Sequence, residues 1–577
     1  MRISPVALCV SLTLVFSLAG CKPATAPVAA LPEAPAESAA WTNFTMSFLE
    51  GYFKLNPGSA VYQGRHEFDG KLPDWSAAGL KTQAEFLASK IMEAEKMDAA
   101  SLSAAQQLER DYLIGVAEGY LFWLADADSP HTNVAWYFSN GLDPNVYIAR
   151  PYADATTRMK AFIQYARNIP AAVAHIRANV KTPMPLSHVN YAVPGFKGFA
   201  AYYLSDAKLA FASVQDASLQ AEFDAATKVA AVAMRDTATW AERQRASATQ
   251  DFALGEERFR RMLLATEGVD TPLDELEAIG RADLKRNQNA LQSACKNYAP
   301  KASLQACMDE MNTSKGEGGP VTEARRQLPT LRQFLVDNNI VTIPGAEQAL
   351  VEESPPYNRQ NAAYIDLPGP YDIGLPSVYY ISPPDPKWSA KEQNSYVPGK
   401  MNLLFTSVHE VWPGHFLNFL HANRAKSIFG RVFVGYAFAE GWAHYSEEMM
   451  WDAGLNKGNH ETHIGQLSNA LLRNCRFLSA IGMHARGMTQ EQSRLMFVNE
   501  CYQDPGSAKQ QSARATYDPA YLNYTMGKLL IRKLRDDWTK GDRSQWKAFH
   551  DAFLSYGGPP IPLVRKAMMG GEAKAVF

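Results

Sequence analysis

The sequence has almost no excess charge of either sign: its formal net charge is −2 over 577 residues. Proteins that bind nucleic acids usually carry a basic patch that neutralises phosphates, so this balance argues against a nucleic-acid partner. The sequence also has no Gly-x-Ser-x-Gly segment, the turn that presents the nucleophile of many serine hydrolases. That absence argues against a serine hydrolase, which remains one alternative. The length and composition indicate a large globular protein, built as one domain or two lobes.

Cysteine is scarce, and the six cysteines form no Cys-x-x-Cys unit, so a zinc site built from cysteines is not expected. Two of them lie in the N-terminal segment described below. The other four are Cys295, Cys307, Cys475 and Cys501. In an oxidising compartment, an even number of cysteines predicts two disulfide bonds, for which three connectivities exist. The pairs that are close in sequence, 295–307 and 475–501, are the simplest of the three.

Only the N-terminus has a continuous apolar run, over residues 6–19 behind Arg2, and this run is too short to span a membrane. It ends in Leu-Ala-Gly-Cys, which resembles a bacterial lipobox in which Cys21 becomes the lipidated first residue. An ordinary secretory signal peptide that contains a cysteine is the alternative. We predict a lipoprotein signal peptide over 1–20, an Ala/Pro-rich tether over 21–40 and membrane attachment through lipid on Cys21.

Lys22 stands where lipoproteins held at the inner membrane of enteric bacteria have aspartate. This resemblance implies a protein of the bacterial cell envelope, anchored at the outer membrane and facing the periplasm. The sequence indicates no obligate protein partner.

Residues 41–577 predict a mainly α fold with a small β element, built as one large domain or as two helical lobes, about 41–250 and 251–577. Ser103 and Gln106 form a potential capping box at a helix start. The Pro- and Gly-containing segment 182–198 predicts a loop between helices. Short β-like segments occur over 341–384, including residues 377–381. Such a sheet commonly supplies an edge strand that pairs with extended peptide, which makes Tyr380 a candidate substrate contact. A purely structural hairpin is the alternative.

Residues 407–415 read Ser-Val-His-Glu-Val-Trp-Pro-Gly-His and carry the clearest chemical pattern. In an H-E-x-x-H helix, histidines at i and i+4 bind zinc, and the glutamate activates water. Here His415 is at i+6 from His409, and a regular helix would turn it away. Pro413 and Gly414 predict a kink or bulge, and two looped-out residues would return His415 to the place of an i+4 ligand.

A second helix is predicted around Glu440, His444 and Glu447, which share one polar stripe among apolar residues. A carboxylate and an imidazole are costly to bury there unless they are paired or bind a cation. A buried Glu–His pair or a solvated stripe is the simpler reading of this helix alone. Together with His409 and His415, we interpret Glu440 as the third zinc ligand.

A tyrosine-rich segment near the C-terminus offers groups that could stabilise an oxyanion. Tyr524 is the first candidate, followed by Tyr521 and Tyr517, and Arg514 is a candidate substrate contact. By residue type alone, all four are more often packing and surface groups.

The chain is identified as resembling a family of exported bacterial proteins, domain of unknown function 885, that has a His-Glu-x-x-Pro-Gly-His motif. The resemblance covers the chain from residue 41 to the C-terminus. The segments that carry it are Leu254-Gly255, Met262-Leu263, the helix start at Thr271, 351–356, 409–415, 440–443 and 524–528.

That family is similar to the helical, deep-channel zinc peptidases of the gluzincin type, such as thimet oligopeptidase and carboxypeptidase Taq. In those, the third ligand is a glutamate about 25 residues after the second histidine, the spacing of His415 and Glu440. The resemblance therefore implies two lobes around a channel and an exported peptidase of oligopeptidase or carboxypeptidase type.

We accordingly predict one Zn²⁺ per chain, held by His409, His415 and Glu440, and short peptides as substrates. Glu410 would be the general base and Tyr524 the oxyanion donor, with His444 supporting a ligand or the substrate. The main alternative is a metal-free or degenerate relative that binds peptides or cell-wall fragments as a surface lipoprotein.

Overall fold

The computed structural model describes residues 37–355, 359, 362–571 and 577. The predicted signal peptide, the predicted lipidation site Cys21 and most of the predicted tether 21–40 lie outside these residues. Among the described residues, no helix combines the length and apolarity needed to cross a membrane.

The first half of the described chain is helical. Its helices are Ala39–Leu55 (α1), Pro57–Tyr62 (α2), Ala77–Glu95 (α3), Ala104–Leu121 (α4), Ser129–Thr132 (α5), Ala135–Tyr137 (α6), Asn145–Ala149 (α7), Ala155–Asn179 (α8), Leu186–Leu204 (α9), Asp206–Ala210 (α10) and Ala217–Arg243 (α11). The capping box of Ser103 and Gln106 begins α4, as predicted, because each side chain bonds the other's backbone N–H.

The loop predicted over 182–198 is wrong, because α9 occupies most of it and has Pro194 inside. Apolar side chains of α9, including Val189 and Phe196, are fully buried, and α9 packs along α11. The burial of this face outweighs the backbone hydrogen bond that the proline removes.

A small sheet lies within the second half of the described chain, over residues 349–381. Its strands are Ala349–Glu353 (β1), Ala363–Asp366 (β2) and Ser377–Ile381 (β3), in the order β1-β3-β2. β3 pairs parallel with β1 and antiparallel with β2. The strand predicted at 377–381 is therefore the central one, and its backbone is hydrogen-bonded on both sides.

The second half is again helical. Its helices are Glu256–Glu267 (α12), Leu273–Tyr298 (α13), Leu304–Thr313 (α14), Gly319–Asp337 (α15), Ala390–Tyr396 (α16), Lys400–Glu410 (α17), His415–Ala422 (α18), Ile428–Val432 (α19), Tyr436–Asp452 (α20), His460–Ala485 (α21), Gln490–Asn499 (α22), Pro505–Tyr517 (α23), Asn523–Thr539 (α24), Trp546–Leu554 (α25) and Ile561–Met569 (α26). The fold is thus mainly α with a small β element, as predicted.

Three groups of buried apolar side chains form the core. One lies among α8, α9 and α11, and the largest surrounds α13, α17, α20, α21 and α24. The third joins α1, α3 and α4 to Phe429, Phe433 and Leu563 from the second half. The division into lobes at residue 250 and the channel between them stay predictions.

Both predicted disulfide bonds are present. Cys295 pairs with Cys307, and Cys475 pairs with Cys501, which ties α21 to the segment after α22.

Candidate metal centre

The helix that carries His409 stops at the next residue, Glu410, and a new helix begins at His415. The backbone between them is not helical, and the Trp412–Pro413 peptide bond is cis. The predicted interruption at residues 413–414 is therefore present. Gly414 is needed in this turn, because a Cβ there would lie 1.8 Å from the carbonyl oxygen of His409.

The turn brings the two histidines together, and α20 adds a carboxylate. The imidazole rings of His409 and His415 have centroids 4.8 Å apart and are nearly perpendicular, at 86°. Oε2 of Glu440 lies 3.2 Å from Nε2 of each ring. Ligands on a tetrahedral zinc ion with bonds of about 2.1 Å are roughly 3.4 Å apart. The three potential ligand atoms, all within 4.8 Å of one another, could therefore hold one metal ion.

Nδ1 of His409, the ring nitrogen that faces away from Glu440, contacts Glu447 of the same helix as Glu440. Nδ1 of His409 donates a hydrogen bond of 2.8 Å to Oε1 of Glu447. Nη2 of Arg473 is 3.0 Å from that oxygen, and Nδ1 of His444 is 3.3 Å from the other one. Because Nδ1 of His409 is occupied, its Nε2 faces Glu440, as a metal-binding histidine requires.

The electrostatics of the cluster favour a cation. Burial and the charge of Arg473 would lower the pKa of His409, but hydrogen bonds to Glu440 and Glu447 raise this pKa to about 9. Burial would raise the pKa of Glu440, yet the neighbouring imidazoles, first that of His415, hold it well below its usual range. Without a metal ion, His409 therefore holds a proton at neutral pH. A bound metal ion could take the place of this positive charge between the carboxylates.

Glu410, the predicted general base, follows His409 at the end of α17 and is 9% exposed. The charge of Glu410 acts on Tyr379 of β3. Burial raises the pKa of this tyrosine, and the negative charge of Glu410 raises the pKa further. The Tyr379 hydroxyl therefore keeps its proton beside Glu410.

Successive side chains of a strand point to opposite faces, so Tyr380 lies on the other face of the sheet from Tyr379. There its ring packs against that of Tyr364, with centroids 5.2 Å apart and the planes tilted by 31°. The geometry thus favours Tyr379 over Tyr380 at this site, and a contact of Tyr380 with substrate stays a prediction.

Tyr524 lies next to the histidines. Its ring is nearly parallel to that of His409, with centroids 6.1 Å apart, and burial raises its pKa. The guanidinium groups of Arg473, Arg476 and Arg514 lie 5.8, 4.7 and 5.9 Å from its centroid. An environment this rich in cations suits a group that meets developing negative charge.

The other candidates are arranged around this centre. Tyr521 is fully buried in the core, and Tyr517 packs on Tyr191 at 4.5 Å. Arg514 donates to Asp518 and to the hydroxyl of Tyr436.

His444 is fully buried. Burial and the charge of Lys528 lower its pKa to about 4, so its imidazole is neutral. Of these, His444 reaches the histidine cluster, through Glu447.

Arg473 and Arg476 were not predicted from the sequence, and Glu447 was predicted on the polar stripe without a role. The signal for Glu447 was its place on the polar stripe of α20, whereas the mixed sequence of α21 gave no comparable signal for the two arginines. Both arginines are less than a tenth exposed, but their partners come from distant segments, which the sequence does not reveal.

Two solved structures share the fold over almost the whole chain. A candidate lipoprotein of unknown function from Shewanella oneidensis is 24% identical, covers 92% of this chain and 100% of its own, and has a TM-score of 0.76. A candidate lipoprotein from Colwellia psychrerythraea is 16% identical, covers 92% and 98%, and also has a TM-score of 0.76.

No curated protein matches the sequence. The family model described as bacterial protein of unknown function (DUF885) matches residues 57–568, most of the chain. The chain therefore belongs to the DUF885 family.

Proposed function

We propose that this protein is an exported zinc metallopeptidase that hydrolyses short peptides. The observation that carries this proposal is the convergence of His409, His415 and Glu440 to ligand-atom distances that suit one zinc ion. The buried pair of His409 and Glu447 supports it, because a carboxylate behind a ligating histidine is the usual companion of catalytic zinc.

Each residue has a distinct task in the proposed reaction. His409, His415 and Glu440 would hold zinc, which when bound would polarise the scissile carbonyl and acidify a water molecule. Glu410 would take the proton of the attacking water as the new C–O bond forms. It would then pass this proton to the amine nitrogen as the C–N bond breaks. The Tyr524 hydroxyl would donate to the developing oxyanion.

The proposed location is the cell envelope, with lipid on Cys21 and the catalytic body in the periplasm at the outer membrane. The lipobox-like segment supports this proposal, and so do the descriptions of the two similar structures as candidate lipoproteins.

The first test is elemental analysis of residues 22–577 after supply of zinc, beside Glu440→Ala. We expect about one zinc per chain in the wild type and almost none in the variant. The variant lacks the carboxylate oxygen that lies 3.2 Å from Nε2 of both histidines and would be the third ligand. Glu222→Ala, which removes an exposed carboxylate paired with Arg167 on the surface, is the matched control and should keep the metal.

Activity is tested next with a peptide library and Glu410→Gln. This variant should keep zinc but lose at least about 100-fold in kcat, because the amide cannot move the proton. Absence of zinc from the wild type would overturn the peptidase and favour the peptide-binding lipoprotein.

A further inference from the structure

Among the residues that the structure describes, Arg476 is a buried cation without an acid partner. It lies on α21 and is 8% exposed, and its Nε donates to the amide oxygen of Gln511 at 2.8 Å. Across the residues that the structure describes, no carboxylate pairs with Arg476, and its Nη groups have no acceptor. Its two cationic neighbours are different, because Arg473 pairs with Glu447 and Arg514 pairs with Asp518.

This arrangement is unfavourable for the free protein. A buried charge is costly unless it is paired, and the charges of Arg473 and Arg514 add repulsion to the desolvation of Arg476. The planar fork of a guanidinium fits a carboxylate in a bidentate contact, so an incoming carboxylate would supply the missing partner.

The position of Arg476 indicates which carboxylate this would be. Its guanidinium carbon lies 4.7 Å from the centroid of Tyr524, which lies 6.1 Å from that of His409. The guanidinium is thus at most about 11 Å from the ring that would bind zinc. An extended peptide advances roughly 3.5 Å per residue. A carboxylate one or two residues beyond the scissile bond would therefore reach Arg476.

We propose that Arg476 binds the free C-terminal carboxylate of the peptide substrate, so that the enzyme removes one or two residues from the C-terminus. This inference rests on the proposed peptidase function and adds to it the end of the chain that is cut. Arg476 selects the substrate by its C-terminal carboxylate. Arg473 and Arg514 already form salt bridges with Glu447 and Asp518.

The test compares matched peptides that differ only in a free C-terminal acid or a C-terminal amide. With the zinc-loaded full chain in detergent, kcat/KM for the acid should exceed that for the amide by at least about 30-fold. Mass spectrometry of the products should show loss of one or two C-terminal residues. Equal cleavage of acid and amide at internal bonds would overturn the inference and leave the peptidase intact.

Variants assign the preference to this side chain. Arg476→Gln should lower kcat/KM for the acid by about 30-fold or more and leave the amide nearly unchanged, so that the preference disappears. Arg476→Lys should retain part of the preference, because the charge remains while the fork is lost. Arg167→Gln, an exposed arginine paired with Glu222, is the matched control. Unchanged preference in Arg476→Gln would refute the assignment.

A binding measurement separates failure of this inference from failure of the peptidase. Calorimetry with Ala-Phe and Ala-Phe amide on Glu410→Gln should show tighter binding of the acid, and Arg476→Gln in the same background should abolish the difference. Equal affinity for acid and amide would overturn the inference even if no peptide is hydrolysed. A difference that depends on Arg476, without hydrolysis, would refute only the peptidase.

Discussion

At the scale of the residue, Glu447 organises the centre although it would not bind the metal. One of its oxygens meets Nδ1 of His409 and the guanidinium of Arg473, and the other meets His444. Burial would raise the pKa of this fully buried carboxylate, but Arg473 and the histidines hold it far below its usual range. Glu447 is therefore ionised, and it fixes the orientation of the His409 ring.

Replacing Glu447 with glutamine should weaken zinc binding by about 10- to 100-fold, because His409 loses a charged acceptor behind its ring. A competition titration with a chromophoric zinc chelator measures this change. Glu353→Gln, at an exposed carboxylate that pairs with Arg359, should have wild-type affinity. Wild-type affinity in Glu447→Gln would show that the ring is fixed by other contacts.

Glu267 is a second buried acid, at the end of α12, and it meets the start of α20. Its Oε1 accepts hydrogen bonds from the backbone N–H of Ala437 and from the side chain of Asn523. Burial raises the pKa of Glu267 to about 8, so this carboxyl is protonated in the folded protein at neutral pH.

The raised pKa predicts a loss of stability as pH rises. A proton that the folded state holds up to about pH 8, but the unfolded state releases near 4.5, stabilises the fold fully below 4.5. Between pH 5 and 8 the wild type should therefore lose about 3.5 kcal/mol of unfolding free energy relative to Glu267→Gln. Urea denaturation of both proteins at pH 5, 6.5 and 8 checks this, and parallel profiles would contradict it.

At the scale of the element, small residues let backbones approach where the centre is built. Gly441 of α20 and Gly527 of α24 face each other: a Cβ on Gly441 would lie 2.5 Å from the Cα of Gly527. This contact sets how closely Tyr524 of α24 approaches α20, the helix that carries Glu440. Gly414 has the same function in the turn between α17 and α18.

Gly414→Ala should abolish zinc binding and lower the midpoint of thermal unfolding, because the added methyl group would overlap the carbonyl oxygen of His409. The turn must then open, which moves His415 away from His409. Gly198→Ala is the control: Gly198 lies in α9 with no atom within 4 Å of an added Cβ. That change should stabilise by up to about 1 kcal/mol, because alanine favours helices. Retention of zinc by Gly414→Ala, shown by elemental analysis, would contradict the role of the turn.

At the scale of the whole molecule, the candidate centre lies where several helices meet a second, buried network of charges. Lys528 of α24 is fully buried and lies 2.7 Å from Asp283 of α13 and 3.5 Å from Glu448 of α20. Glu448 follows Glu447, and Asn474, which donates to Asp283, follows Arg473. The network therefore joins α13, α20, α21 and α24 directly behind the residues that face the histidines.

A metal ion at this position would connect three helices, α17, α18 and α20, so zinc should stabilise the whole fold. At a free zinc concentration 100 times the dissociation constant, binding to the folded state alone should raise the free energy of unfolding by about 2.7 kcal/mol. For a chain of this length the gain corresponds to about 2 °C in Tm. Calorimetry with zinc and with EDTA checks this. Glu440→Ala should show no difference between the two, and an equal Tm for the wild type in both solutions would contradict a metal bound by the fold.

The parts of the fold that the sequence predicted depend on short-range interactions. The helix start at Ser103 was recognisable because both partners of its capping box lie within four residues. The disulfide bonds 295–307 and 475–501 join cysteines that are near in sequence. Segment 182–198 was misread, because its helix is stabilised by packing on α11 against the local preference of proline.

The sequence by itself determined the helical class, the family and the residue types of the centre, because a motif and its spacing are local properties of the chain. Only the tertiary structure decided that His415 returns to His409, that Glu447 and Arg473 lie behind it, and that Arg476 has no acidic partner within the described part of the chain. These relations join residues on α17, α18, α20 and α21. They depend on how the helices pack, and packing is fixed by the burial of whole apolar faces and by close contacts such as that of Gly441.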